Sequence, residues 1–220
     1  MLLMLSAATL YAQGSDDVKI GGGGFFMGYG VQDISPLQVL LPADAPDLEH
    51  GQIIMGGMGF GSRGRLVFGG TGYAMIGDMQ YHDSYSYEAS GGFGLFNLGY
   101  IAAYTSHLRL IPMLGLGGGG YGLDILYTEN LDLDQITEDP GYHLSVSNSV
   151  TVIDVGVQVY LFPEIKTGSS GGFTLALRAG YTYGITMDEW MHNAGYVSGI
   201  EQMDISSPYL TILFGFTGGW

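Results

Sequence analysis

Residues 173–183 read FTLALRAGYTY, in which apolar side chains alternate with small or polar ones. One face begins with Phe173 and carries the leucines and tyrosines, whereas the other carries Thr, Ala and Gly with a single charge, Arg178. A period of two is typical of a β-strand, because successive strand side chains point to opposite faces. The stretch therefore predicts a strand with one apolar face and one small or polar face.

The segments 153–161 and 210–217 repeat this alternation. In the first, Ile153, Val155, Val157, Val159 and Leu161 oppose Asp154, Gly156, Gln158 and Tyr160. In the second, Leu210, Ile212, Phe214 and Phe216 oppose Thr211, Leu213, Gly215 and Thr217. A soluble sandwich turns its apolar faces inward and its charges outward, but these polar faces lack the mixture of Lys and Glu that keeps a soluble surface dissolved. Apolar side chains facing lipid and small or polar ones facing a lumen are instead typical of a membrane barrel.

Eight segments with strand character follow one another along the chain. They span 18–31, 52–61, 65–77, 86–104, 107–127, 147–161, 172–186 and 205–217. Glycine runs at 22–24 and 117–120 leave the phase of the first five segments undetermined. The sequence thus predicts an all-β fold, an eight-stranded antiparallel up-and-down transmembrane β-barrel that forms the single domain 15–220.

The charges are sorted between two kinds of connection. Arg63, Arg65 and Arg109 lie at short turns. Acidic residues gather in the other connections, at Asp33, Asp44, Asp47, Glu49, Asp78, Asp83, Glu129, Asp132, Asp134, Glu138, Asp139, Asp188, Glu189, Glu201 and Asp204. Short turns that alternate with longer loops are the layout of a barrel with periplasmic turns and extracellular loops. Both termini are expected on the turn side, because an even number of strands returns the chain to its starting side.

Composition excludes several classes of function. The net charge of −15 makes nucleic acid a very poor partner, because phosphate binding needs clustered Lys and Arg. With no Cys, the chain has neither disulfides nor a thiolate-ligated metal site. The 39 Gly, accompanied by 16 Tyr and 10 Phe, indicate a strand-rich chain rather than a disordered one.

The first residues, MLLMLSAATLYAQG at 1–14, are predicted to be a secretory signal peptide, although they lack its usual basic leader. After them, no run of eighteen apolar residues occurs, so a membrane-spanning helix is not expected.

The C-terminal segment 209–220 reads YLTILFGFTGGW and ends on an aromatic residue in phase with the apolar face. With Phe214, Phe216 and Trp220, it resembles the terminal signal of bacterial outer-membrane β-barrels. This resemblance implies a place in the bacterial outer membrane, with outer-membrane lipids and the barrel-assembly machinery as partners. It reaches no subfamily, so no functional residue is carried over.

The lumen of an eight-stranded barrel is only wide enough to be filled by side chains or to hold one small ligand. Charged and polar strand residues are therefore the candidate site, namely Glu88, Asp124, Asp154, Gln158 and Arg178. We expect Asp154 and Arg178 to point inward on neighbouring strands, and to pair and bond to Gln158 or tyrosine hydroxyls, because an isolated buried ion is costly. The cluster is predicted to be a structural plug; a narrow proton or ion path, or a catalytic site, is the alternative.

Two other groups of residues offer side chains that could carry chemistry. His143 with Ser145, and His82 with Ser84, have a spacing that places both side chains on one side of a strand, which leaves open a lipid-modifying enzyme. An acidic loop with Asp132, Asp134, Glu138 and Asp139 offers oxygen ligands for a divalent cation such as Ca²⁺, although it lacks the ordered spacing of a helix–loop–helix calcium site. No cofactor is expected.

The oddly apolar loop at 33–42 is expected to fold back over the barrel mouth or to lie in the interface, and an adhesive patch is the alternative.

The predicted function is therefore a structural or surface-interaction role for an outer-membrane barrel with a filled lumen and acidic extracellular loops. A narrow pore or transporter for small molecules is the alternative, because inward glycines in the first and fifth strands would leave room in the lumen. A lipid-modifying enzyme is the second alternative.

Overall fold

The computed structural model describes residues 20–105, 108–127, 143–161, 171–186, 189–192, 195–197, 199–200 and 205–219. Its strands are β1 (Ile20–Val31), β2 (Gly51–Arg63), β3 (Leu66–Gly77), β4 (Gln80–His82), β5 (Tyr85–Tyr100), β6 (Ala103–Tyr104), β7 (Leu108–Tyr127), β8 (His143–Leu161), β9 (Gly172–Thr186), β10 (Trp190–His192), β11 (Gly195–Val197) and β12 (Ser207–Gly219). A 3₁₀ helix covers Ser35–Leu40. No helix among the described residues is long and apolar enough to cross a membrane.

Eight of these strands form a closed cylinder. The order is β1-β2-β3-β5-β7-β8-β9-β12, every neighbouring pair is antiparallel, and β12 returns to β1 through a ladder that runs from Ile20 opposite Gly219 to Gly30 opposite Tyr209. Closure gives every barrel strand two partners and removes the open edges that a flat sheet would have. The predicted all-β, eight-stranded antiparallel barrel is confirmed.

Strand bounds agree with the sequence prediction within a few residues, with one extension. The sixth barrel strand, β8, begins at His143 rather than at 147, because β7 runs on to Tyr127 and pairs with it (Leu126 opposite His143). The β5–β7–β8 ladder therefore rises above the ends of β3 and β9, which stop pairing with it at Ile76 and Thr186.

The two ends of the barrel differ. At one end, the turn end, β2 and β3 meet in a tight hairpin whose Gly64 has φ of 59°, a left-handed conformation that glycine adopts without steric cost. The described chain also starts and stops there, at Ile20 and Gly219. The opposite end, the loop end, carries the connections that leave β1, β3, β7 and β9.

The outer face of the cylinder is apolar, as predicted for the last three strands. Exposed large side chains there include Phe25, Met27, Ile53, Phe68, Phe96, Leu98, Leu114, Leu116, Val155, Val157, Phe173, Leu177, Leu210, Ile212, Phe214 and Phe216, and the exposed fraction reaches 70% at Phe216. An apolar surface that runs round a whole cylinder is costly in water and favourable in hydrocarbon. Burial alternates along β8, β9 and β12 in the predicted phase.

The loop between β1 and β2 turns its apolar side chains inward. Leu37, in the 3₁₀ helix, is fully buried, and Ile34, Leu41 and Leu48 are buried beside it. They belong to the same apolar cluster as lumen residues such as Leu123. The loop therefore folds back over the barrel mouth, as expected of so apolar a sequence.

Candidate functional site: the polar cluster of the lumen

Asp154 and Arg178 lie inside the barrel on neighbouring strands. The alternation of β8 places Asp154 inward between the exposed Ile153 and Val155, and that of β9 places Arg178 inward beside the exposed Leu177. The exposed fractions of the two side chains are 3% and 8%. They are the only buried charged residues in the described part of the chain, and their charges cancel.

The two side chains form a buried ion pair that Tyr209 completes. Arg178 Nη2 donates a hydrogen bond to Asp154 Oδ1. Arg178 Nε donates to the Tyr209 oxygen at 2.9 Å, and the Tyr209 hydroxyl donates to Asp154 Oδ1 at 3.1 Å. The second carboxylate oxygen, Oδ2, accepts from Thr182 Oγ1 at 3.3 Å. The carboxylate thus accepts three hydrogen bonds, which compensates much of the cost of burying it.

The network continues across the barrel to strands that do not adjoin β9. Arg178 Nη2 lies 3.5 Å from Asn97 Oδ1 on β5, and Asn97 Nδ2 donates to Thr71 Oγ1 on β3 at 2.7 Å. Asn97 is fully buried and Thr71 is 6% exposed. The cluster therefore links β3, β5, β8, β9 and β12 across the lumen.

Gln158 is fully buried in the same cavity but does not bond to the ion pair. Its Nε2 lies 3.5 Å from Met58 Sδ on β2, and its Oε1 has no hydrogen-bond partner among the described residues. Of the two kinds of partner expected for the pair, the tyrosine hydroxyl supplies the contact and the glutamine does not.

Glycines make room for Tyr209. Gly156 and Gly180 lie opposite each other on β8 and β9, and Gly180 lies opposite Tyr209 of β12. A Cβ atom at Gly156 would come within 2.9 Å of the Tyr209 oxygen, and one at Gly180 within 2.5 Å of it. The two glycines therefore leave the space through which the phenol reaches Asp154.

The lumen around the pair is nearly full. Residues of β1, β2, β3, β5, β8, β9 and β12 line the remaining cavity, whose volume is ≈ 30 Å³. A buried water needs a cavity of about 10–15 Å³, so there is room for roughly two. Gly115 points inward but does not open the lumen, because Asn97 and Asp154 fill the space beside it. A Cβ atom added at Gly115 would lie 2.9 Å from Asn97 Oδ1 and 3.1 Å from Asp154 Cβ.

Glu88 and Asp124 do not belong to this cluster, and their placement in the lumen was wrong. Inward residues of β5 have odd numbers, as buried Phe93 shows, and so do those of β7, as buried Tyr121 shows. Glu88 and Asp124 are even-numbered and lie opposite each other on the outer face. The flanking glycines carry no side chain to reveal this phase.

Asp124 contacts a histidine on the outer face. His143 Nε2 lies 3.1 Å from Asp124 Oδ1, and Ser145 lies opposite Asp124 in the strand register. No hydrogen bond joins the Ser145 hydroxyl to an imidazole among the described residues. Histidine and carboxylate thus converge, but the hydroxyl that a nucleophilic triad needs is not engaged.

The other predicted residues are placed as follows. Phe214 and Phe216 point outward from β12, with exposed fractions of 43% and 70%. Trp220, the acidic-loop residues Asp132, Asp134, Glu138 and Asp139, and the predicted signal peptide at 1–14 lie outside the described residues.

Asn97, Tyr209, Thr71 and Thr182 were missed as site residues in the sequence. All four are uncharged, and apart from Gln158 the selection took only charged residues. The alternation of β12 could have revealed Tyr209, because it is in phase with inward Thr211 and Leu213.

No protein-family model and no curated protein sequence matches this chain. Among solved structures, it is similar to the attachment invasion locus protein Ail of Yersinia pestis (10% identity, TM-score 0.42, covering 93% of this chain and 99% of that one). It is also similar to the outer membrane protein OprG of Pseudomonas aeruginosa (9% identity, TM-score 0.40, covering 94% of this chain and 98% of that one). A third similar structure is the outer membrane protease OmpT of Escherichia coli (9% identity, TM-score 0.36, covering 96% of this chain and 100% of that one). Identities and TM-scores this low transfer no property of those proteins to this chain.

Proposed function

We propose that this protein is a non-conducting barrel of the bacterial outer membrane that supports the envelope and presents its acidic loops to the surroundings. The observation that carries the proposal is the filled lumen. The ion pair of Arg178 and Asp154, tied to Tyr209 and Asn97, occupies the cross-section where a pore would need open space.

The apolar outer face supports the membrane location. Its exposed Phe, Leu, Ile and Val side chains belong in lipid, while the acidic loop residues Asp44 and Asp83 are 78% and 79% exposed at the loop end. The proposed partners are accordingly outer-membrane lipids and, during insertion, the barrel-assembly machinery, which would read Phe214, Phe216 and Trp220. Divalent cations are proposed partners of the acidic loops.

Conductance across a planar lipid bilayer tests the filled lumen. The purified protein is expected to give no discrete current steps, because the hydrogen-bonded ion pair and its neighbours occupy the lumen where an aqueous path would run. Channel steps whose size changes in an Arg178→Ala variant would overturn the proposal and favour the narrow pore. Sedimentation without detergent tests the location, and a monodisperse soluble protein would contradict it.

A lipid-modifying enzyme is the second candidate, because Asp124 holds His143 on the outer face near the loop end. In that case His143 would act as a base on a serine such as Ser145. Hydrolysis of a fluorogenic phospholipid ester by the wild type and its loss in His143→Ala would favour this candidate. We expect no hydrolysis, since no hydrogen bond joins the Ser145 hydroxyl to the His143 imidazole, whose Nε2 lies instead beside Asp124.

A further inference from the structure

Three metal-binding side chains meet at the barrel mouth, far along the chain from the acidic loop considered above. Asp44 comes from the loop between β1 and β2, whereas His82 and Asp83 come from the hairpin between β4 and β5. One ligand atom of each lies within 4.8 Å of the other two.

The spacing of these atoms suits a shared ion better than direct bonding. His82 Nε2 lies 3.6 Å from Asp44 Oδ2 and 3.8 Å from Asp83 Oδ2. Both separations exceed the 2.7–3.2 Å of a direct hydrogen bond. Two ligands at 2.0–2.2 Å from a tetrahedral ion are roughly 3.4 Å apart, which is close to the observed values.

Two buried polar atoms near the carboxylates have no hydrogen-bond partner within the part of the chain that the structure describes. His82 Nε2 is inaccessible to solvent and makes no hydrogen bond. The Tyr87 hydroxyl is also inaccessible and without a hydrogen bond, its side chain is only 1% exposed, and it lies within electrostatic reach of both Asp44 and Asp83. Buried polar groups are normally satisfied, so two unsatisfied ones that both interact electrostatically with Asp44 and Asp83 are consistent with a ligand-binding site.

Local structure holds the ligands in place. His82 pairs with Tyr85 across the tight β4–β5 hairpin, whose turn residue Asp83 has φ of 50°. Two residues before His82, Gln80 Nε2 donates to the backbone oxygen of Asp47 at 3.3 Å, which joins the hairpin to the first loop. The site therefore lies where two separate connections already contact each other.

We propose that Asp44, His82 and Asp83 form a binding site for a divalent transition-metal ion such as Zn²⁺, beside the hydroxyl of Tyr87. An imidazole nitrogen with two carboxylates suits Zn²⁺. Ca²⁺ instead takes six to eight oxygen ligands and gains little from a histidine. The bound ion joins the first loop to the β4–β5 hairpin and fixes the loop over the mouth.

Calorimetric titration of the full chain with ZnCl₂ tests the site. The protein is refolded in detergent micelles and carries no histidine tag. We expect saturable Zn²⁺ binding that weakens at least about tenfold in His82→Ala and in Asp44→Asn. His50→Ala is the matched control, because His50 also contacts a carboxylate of the first loop, Asp33, at 3.7 Å, but lies outside the site. It is expected to bind as the wild type does.

Co²⁺ absorption gives a second readout that does not depend on heat. Visible d–d bands of the bound ion are expected in the wild type and in His50→Ala and are lost in His82→Ala. Heat-modifiable gel mobility verifies that every variant is folded. If His82→Ala fails this check, His82→Gln takes its place. Absence of Zn²⁺ binding, or binding that His82→Ala and His82→Gln leave unchanged, overturns the proposal, as does an equal loss in His50→Ala.

Discussion

Arg178 lies opposite Gln158 in the strand register, yet its guanidinium binds the carboxylate of Asp154. Gln158 turns its amide toward Met58 instead. The charge of Arg178 is thus neutralised inside the barrel, and the whole lumen network depends on a contact that runs diagonally across two strands.

Replacing Arg178 by Met is expected to lower the free energy of unfolding by about 3–5 kcal/mol, because the Asp154 carboxylate is left buried without its countercharge. The double variant Arg178→Met/Asp154→Leu is expected to recover most of this loss, since no unpaired charge remains. Urea unfolding in lipid vesicles, followed by tryptophan fluorescence, measures both. Arg63→Met at the exposed β2–β3 turn is the control. A double variant as unstable as the single one would show that the pair is not the coupled unit described here.

Tyr209→Phe removes one donor to Asp154 and one acceptor for Arg178. A buried charged group that loses a hydrogen-bond partner costs about 1–3 kcal/mol, so the variant is expected to unfold at correspondingly lower urea. Tyr183→Phe is the matched control, because Tyr183 is 54% exposed on the outer face. Equal stability of the two variants would refute the role of the Tyr209 hydroxyl.

Alanine substitutions at two glycines are expected to have opposite effects. At Gly115 the added methyl would meet Asn97 and Asp154 in the packed lumen, and overpacking of this kind costs about 1–3 kcal/mol. At Gly92, on the outer face of β5, nothing lies within 4 Å of the added methyl. There the variant is expected to gain about 0.4–1 kcal/mol, because the unfolded chain loses conformational freedom. Urea unfolding in lipid vesicles measures the change in the free energy of unfolding for both variants. Destabilisation by Gly92→Ala would contradict the placement of Gly92 on the outer face.

Leu177→Arg places a charge on the outer face of β9, where the side chain is 41% exposed. If this face contacts lipid near the centre of the bilayer, the variant loses about 2–4 kcal/mol, whereas Leu108→Arg at the turn end loses only about 0–1 kcal/mol. Refolding yield into vesicles and urea unfolding give the two values. A harmless Leu177→Arg would mean that this face does not meet hydrocarbon.

Asp33, in the loop after β1, has its pKa held below the usual value by hydrogen bonds from Ser35. The Ser35 hydroxyl and backbone N–H donate at 2.6 and 3.1 Å, and nearby His50 adds a weaker effect. A lowered carboxyl pKa stabilises the loop at a pH above the ordinary value near 4, and this stabilisation is lost as the pH falls through the lowered pKa. NMR titration is expected to show the Asp33 pKa rising in Ser35→Ala and staying low in Ser35→Thr. An unchanged pKa in Ser35→Ala would contradict this assignment.

The barrel was predictable from sequence where the alternation is unbroken. Along β9, and in β8 from Asp154 to Gln158, every inward position is small or polar, so Asp154 and Arg178 could be placed inside. In β5 and β7 glycines occupy both faces, and the period of two loses its contrast. Glu88 and Asp124 were therefore assigned by their charge alone, which put them on the wrong side of the sheet.

Contacts across the lumen could not be predicted at all. Asn97 of β5 and Arg178 of β9 are separated in the barrel by β7 and β8, so no local pattern relates them. Their approach depends on the registers of several ladders and on closure of the cylinder. The approach of Asp44 to His82 could not be predicted for the same reason, because the two residues belong to different connections.

The ladder between β1 and β12 joins the two strands that are furthest apart along the polypeptide. Until it forms, both strands expose a row of unbonded amides and carbonyls, which hydrocarbon does not tolerate. Insertion is therefore expected to finish in a single concerted event at this seam. A shortened chain that lacks one hairpin would have to close at a smaller circumference or stay outside the bilayer.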